Sequence, residues 1–101
     1  MVNSNHNVIT NEKLNEAMLQ VNLAIKKIKI VPPEYSSLYI IAKDSYEMVT
    51  NYFKDSQYFM VHGDFVNAFG ALYYAYGWID SSVRMGLFDV GEDHTNFTLF
   101  K

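Results

Sequence analysis

Cysteine is absent from this chain, and with it go disulfides, thiolate metal sites and cysteine nucleophiles. That composition fits a reducing compartment, so the expected location is cytoplasmic. Glycine is sparse, five residues scattered along the chain, which leaves no glycine-rich loop to cradle a phosphate. The two prolines stand side by side at Pro32-Pro33 and mark one rigid break. No apolar run approaches the ~18 residues that suggest a membrane span. Residues 1–7 are polar, without the apolar centre of a signal peptide. Cations are outnumbered, 8 Lys and Arg against 11 Asp and Glu, for a net charge of −3. That sign argues against gripping a phosphate backbone, and direct nucleic-acid binding ranks last among the roles considered. Lys26, Lys27 and Lys29 form the one local basic cluster, best read as complementing the negative end of a helix dipole.

What is present is apolar and aromatic: 50% hydrophobic and 16% aromatic over 101 residues. This is enough for one folded domain and too little chain for two. The pattern predicts an all-α fold, an antiparallel three-helix bundle with a long central hairpin and an irregular C-terminal tail. Residues 1–9 read as a flexible N-terminal arm, 10–86 as the bundle and 87–101 as a tail, extended or packed on the bundle.

The first helix is predicted over residues 11–29, capped by Thr10 or Asn11, with Glu12 in its first turn. Leu14, Ala17, Met18, Val21, Ala24, Ile25 and Ile28 recur at helical spacing on one face, and Pro32-Pro33 stops it. The second helix is predicted from Glu34 or Ser36 to His62. Its inner face is Leu38, Ala42, Ser45, Val49, Tyr52, Phe53, Ser56, Phe59 and Met60; Lys43, Glu47, Asn51 and Lys54 fall on the wet side. Gly63 suits the left-handed position past a helix and Asp64 the cap of the next one. So short a turn folds helices two and three into a hairpin. The third helix is predicted over residues 65–85, with Phe65, Ala68, Phe69, Leu72, Ala75, Tyr76, Ile79 and Val83 inward and Gly86 as its stop. Residues 96–101 alternate like a strand, with no evident partner.

Residues 55–90, DSQYFMVHGDFVNAFGALYYAYGWIDSSVRMGLFDV, resemble the small archaeal family called "domain of unknown function 357". Asp55, Ser56, Tyr58 and Phe59 match the end of that family's long helix. Gly63 and Asp64, followed by Ala68 and Phe69, match its turn. Tyr74, Ala75, Gly77, Ile79 and Asp80 match a later run, and Arg84 with Gly86 its close. Tyr76 stands where relatives often have His, which removes a potential acid/base group. The resemblance implies an archaeal, cytoplasmic three-helix bundle. It carries over no catalytic residue, because the family has no established activity.

Chemistry-bearing residues are thinly spread. His6, His62 and His94 have no helical i+3 or i+4 partner that would make a metal pair. Asp89, Glu92, Asp93 and His94 match no metal-loop spacing, and a solvated acidic tail is the better reading. The Glu-x-x-His repeats of di-metal bundles are missing. Arg84 and His94 are too far apart for the motif of HEPN-type helical RNases. No catalytic residue, metal or cofactor is therefore expected. Asp80 and Arg84 stand at i, i+4 and can pair. With Asp55 they suggest either a charged pocket or, as the favoured reading, a partly buried structural ion pair that fixes helix register.

The most pointed expectation concerns a surface. Opposite the core stripe of the third helix lie Gly70, Tyr74, Trp78, Ser81 and Met85. Opposite that of the first lie Leu19, Leu23 and Ile30. A helix apolar nearly all round needs cover on its outer side. The cover is either the tail, through Phe88, Phe97 and Phe100, or a protein partner, a homodimer being as acceptable as a heteromer. The expected function is thus a small non-enzymatic protein-interaction module or accessory subunit of a larger archaeal complex. A sharper alternative is an accessory subunit of a family-B replicative DNA polymerase holoenzyme, although no residue singles that complex out. The other alternative is a small-ligand binder or enzyme with a pocket near Asp80 and Arg84.

Overall fold

The computed structural model describes residues 8–91; His6, His94, Glu92, Asp93, Phe97, Phe100 and the alternating stretch 96–101 lie outside them. Helix α1 spans Asn11–Lys27, α2 Ser37–Val61 and α3 Phe65–Arg84, and two short strands, β1 (Lys29–Ile30) and β2 (Phe88–Asp89), pair antiparallel. The all-α bundle expected from the pattern is the fold observed.

Each helix begins at a side-chain cap. Thr10 Oγ1 accepts the Lys13 N–H at 3.1 Å, Ser36 Oγ accepts the Tyr39 N–H at 3.3 Å, and Asp64 Oδ1 accepts the Asn67 N–H at 3.2 Å, each satisfying a first-turn donor with no intrahelical partner. The Ser36 hydroxyl also donates to the Pro33 carbonyl at 2.7 Å, which ties the diproline break to the start of α2. Two helices end alike. After α2, Gly63 adopts φ +77°, its N–H donates to the Met60 carbonyl at 3.1 Å, and the Asp64 N–H donates to the Phe59 carbonyl at 2.9 Å. After α3, Gly86 adopts φ +78°, its N–H reaches Val83 at 3.1 Å, and the Leu87 N–H reaches Ser82 at 2.9 Å. Both are Schellman closures, which require a left-handed residue.

A Cβ at Gly63 would meet nothing within 4 Å, so its penalty is purely conformational. Gly63→Ala is expected to lower stability by about 1 kcal/mol or more, whereas Gly70→Ala, at an exposed helix-interior position with equally open space, should raise it by up to about 1 kcal/mol. Urea titration of both variants checks this; equal or reversed effects would contradict the closure.

The end of α1 differs from expectation. Ile28 turns extended at ψ 128°, and Lys29, placed in the helix by periodicity, lies in β1. Ile30 pairs with Phe88, Lys29 with Asp89, and the Val31 N–H donates to the Leu87 carbonyl at 2.9 Å. The run Ile28–Lys29–Ile30–Val31 is rich in β-branched residues that favour extended backbone. Ile30, expected on the outer side of a helix, is therefore partly buried against the core.

Helix α3 is the centre of the packing. It buries Ala68, Ala71, Leu72, Ala75, Ile79 and Ser82, lies along most of α2, and carries α1, which meets α2 only sparsely. Small residues make the α2–α3 approach close: Ala42, Ser45 and Ser56 are buried on α2, and the Ser56 hydroxyl reaches across to the Ala68 carbonyl at 2.7 Å. Ser82 Oγ is buried with no hydrogen-bond partner. Leu38, read as inward, is 54% exposed. With 25 residues in α2 against 20 in α3 and the two joined tightly at Gly63, the first turn of α2 projects past the end of α3.

Leu87, Phe88 and Val90 are only 2–4% exposed, so the chain beyond α3 continues the core. Phe88 meets Tyr46 edge-on at 6.4 Å between ring centroids. Together with β1 it closes the end of the bundle.

Candidate interaction surface

The outer face of α3 keeps most of the residues predicted for it. Gly70, Tyr74, Ser81 and Met85 are exposed, Tyr74 and Met85 by 63% and 62%. Trp78 is half-buried and packs against the core rather than standing clear of it. Burial on α3 extends to Ala71 and Ser82, and Trp78, seven residues after one and four before the other, stands at that border.

Tyr73, Tyr74, Gly77, Trp78 and Ser81 line an open depression of about 340 Å³. Gly77 makes the dent, since nothing lies within 4 Å of the Cβ it lacks, and Ser81 keeps its hydroxyl on the Gly77 carbonyl at 2.6 Å. One wall is stiffened by Tyr74, stacked on Tyr52 of α2 at 5.1 Å. The other is stiffened by Tyr73, edge-on to Phe69 at 4.9 Å. Partial burial pushes the Tyr73 phenol above its ordinary value. Neither Tyr73 nor Gly77 was expected on this face. The four-residue spacing Phe69, Tyr73, Gly77 was the available signal.

Leu19 and Leu23 of α1 are exposed as expected, by 58% and 43%. Leu19 borders a second concavity, also about 340 Å³, where α1 and α2 part. Half-buried Met18, Phe53 and Met60 form its floor, while Val61, Asn15, Asn22 and Gln57 complete its rim.

Arg84 Nε donates to Asp80 Oδ2 at 3.0 Å, but the side chains are 76% and 35% exposed. The expected partly buried pair is a surface pair, and because both partners belong to α3 it cannot set the register between helices. Asp55 is exposed on α2 and takes no part in it. Arg84→Met should change stability by less than about 0.5 kcal/mol; a larger loss in a thermal melt would show a role that this geometry lacks.

His62 Nδ1 lies 2.8 Å from the Tyr58 carbonyl and its ring lies tilted against that of Tyr58, 4.2 Å between centroids; a carbonyl only accepts, so Nδ1 carries the proton donated to it. Asp89 Oδ1 accepts the Gly91 N–H at 2.8 Å. Among the described residues no group of three or more His, Asp or Glu could hold a metal. Of the basic cluster, Lys26 and Lys27 occupy the last turn of α1, as the dipole reading requires, and Lys29 has moved to β1.

A family model described as "Protein of unknown function (DUF357)" matches residues 18–88. The chain belongs to this family. No curated protein and no solved structure matches it. The DUF357 match begins in α1, spans α2 and α3, and ends on Phe88, the strand residue that closes the core. Several residues behind the resemblance serve the scaffold. Gly63 and Gly86 close helices, Asp64 caps one, and Ala68 and Ala75 are fully buried. Tyr74 and Gly77 are different, because they face outward into the α3 depression. Among the described residues no helix is long and apolar enough to cross a membrane.

Proposed function

We propose that this protein is a non-enzymatic protein-interaction module, an accessory subunit that docks a protein partner on the outer face of α3. The observation that carries this reading is the depression between Tyr74 and Trp78, flanked by exposed Met85. Tyr and Trp are enriched among the residues that dominate binding energy at interfaces, and a rigid aromatic wall loses little entropy when it docks. The lack of cysteine is in keeping with a cytoplasmic site of action, and the family resemblance with an archaeal complex.

A photo-crosslinking amino acid at exposed Ser81 tests the proposal in cells of the source organism. The expected result is one discrete crosslinked protein, lost when Tyr74→Ala and Met85→Ser are combined in a chain whose circular dichroism and melting are unchanged. Retention of the same crosslinked partner by the double variant would overturn it.

A further inference from the structure

The exposed strip of α1 has a charge order that fits its own reverse. Glu12, Leu19 and Lys26 are spaced by seven residues, which places them on one line along the helix. All three are exposed. The line spans about 21 Å at the helical rise of about 1.5 Å per residue. It runs negative, apolar, positive, with Leu19 at its midpoint. A second α1 laid antiparallel across it sets Glu12 against Lys26 at both ends and Leu19 against Leu19 in the middle. A parallel copy would set like charges together.

The neighbouring side chains are compatible with that order. Asn15, Asn22 and Gln57 on the rim of the α1–α2 concavity are amides, each both donor and acceptor, so each can bond to either kind of polar group on the opposite chain. None of the residues lining that concavity is charged, although the chain as a whole is acidic. Its floor of Met18, Phe53 and Met60 leaves room for an incoming leucine. A two-fold interface is the arrangement in which one patch must complement itself.

We infer that this face binds a second copy of the chain, α1 antiparallel to α1 about Leu19, with each Leu19 entering the concavity between α1 and α2 of the other copy. The surface is separate from the α3 depression, so the inference goes beyond the proposed function and stands or falls independently of it.

Sedimentation equilibrium on the full chain, from micromolar to millimolar concentration, tests this with two charge-reversal variants. Wild-type protein should form dimers, more weakly at high salt because the end pairs are screened. Glu12→Lys alone and Lys26→Glu alone should each weaken self-association at least tenfold, since each sets like charges together at both ends. An equimolar mixture of the two variants should associate about as well as wild type, because one chain then supplies both cations and the other both anions. Recovery on mixing also shows that each variant is folded. A wild-type chain that stays monomeric to 1 mM overturns the inference. So does self-association that either single reversal leaves unchanged, or a mixture that fails to pair although both variants melt cooperatively.

Discussion

Leu72→Ala should cost about 3–5 kcal/mol, the upper part of the range for a buried leucine. Leu72 is fully buried at the middle of α3, the helix that carries both of the others. Its buried neighbours one turn away on α3 are alanines, Ala68 and Ala75. Alanine has no rotamer with which to lean into a void, so most of the cavity should persist. For a domain of this size the loss corresponds to a fall in Tm of roughly 15–30 °C, and it removes much of the ~5–15 kcal/mol that typically stabilises a folded protein. Leu19→Ala offers the contrast. The same atoms are deleted at a position 58% exposed, and monomer stability should change by under about 0.5 kcal/mol. Urea unfolding at low protein concentration measures both. A loss below about 1 kcal/mol at Leu72 would mean that α1 and α2 close over the gap, and that the three helices are less firmly held than their burial implies.

The three helices were legible because their signals are local. Thr10, Ser36, Asp64, Gly63 and Gly86 sit where caps and closures belong, and apolar spacing supplied the rest. What could not be read were features that depend on distant chain. Ile30 and Phe88 pair across the whole hairpin, and a two-residue ladder is too short to alternate. The β-branched residues around Lys29 favour extended backbone only weakly against the helical spacing before them, and nothing local separates Leu87 from a loose tail. The orientation of α3 was blurred for another reason. Ala71 and Ser82 are buried because α2 comes close, yet neither is apolar enough to draw the core stripe toward itself. Trp78 therefore read as fully outward. At the surface, Tyr74, Ser81 and Met85 were legible as residues with no reason to be inside. Gly77 was not, since a dent becomes visible only with its walls in place. The ion pair between Asp80 and Arg84 was legible as a pair, but its exposure was not, because burial belongs to the packing.

Phe88→Ala should be comparably severe, costing about 3–5 kcal/mol, and its consequences should be distributed differently. The ring is 2% exposed and edge-on to Tyr46 of α2, while its backbone pairs with Ile30 beyond the end of α1. One side chain thus joins the segment after α3 to α2, and one main chain joins it to the segment after α1. Deleting the ring removes aromatic burial and the edge contact together. It also weakens the hold on the ladder, including the bond from the Val31 N–H to the Leu87 carbonyl. Hydrogen exchange should therefore quicken first at Ile30 and Val31, with the middle of the α2–α3 hairpin protected until global unfolding. Asp89→Ala, one residue on and exposed, should cost well under 1 kcal/mol. If Phe88→Ala instead unfolds with nearly wild-type stability, β2 is an ornament on a core completed by three helices. If it is lost uniformly, with Ile30, Val31 and the hairpin exchanging together, the strand pair is part of one cooperative unit and the bundle cannot hold without its closed end.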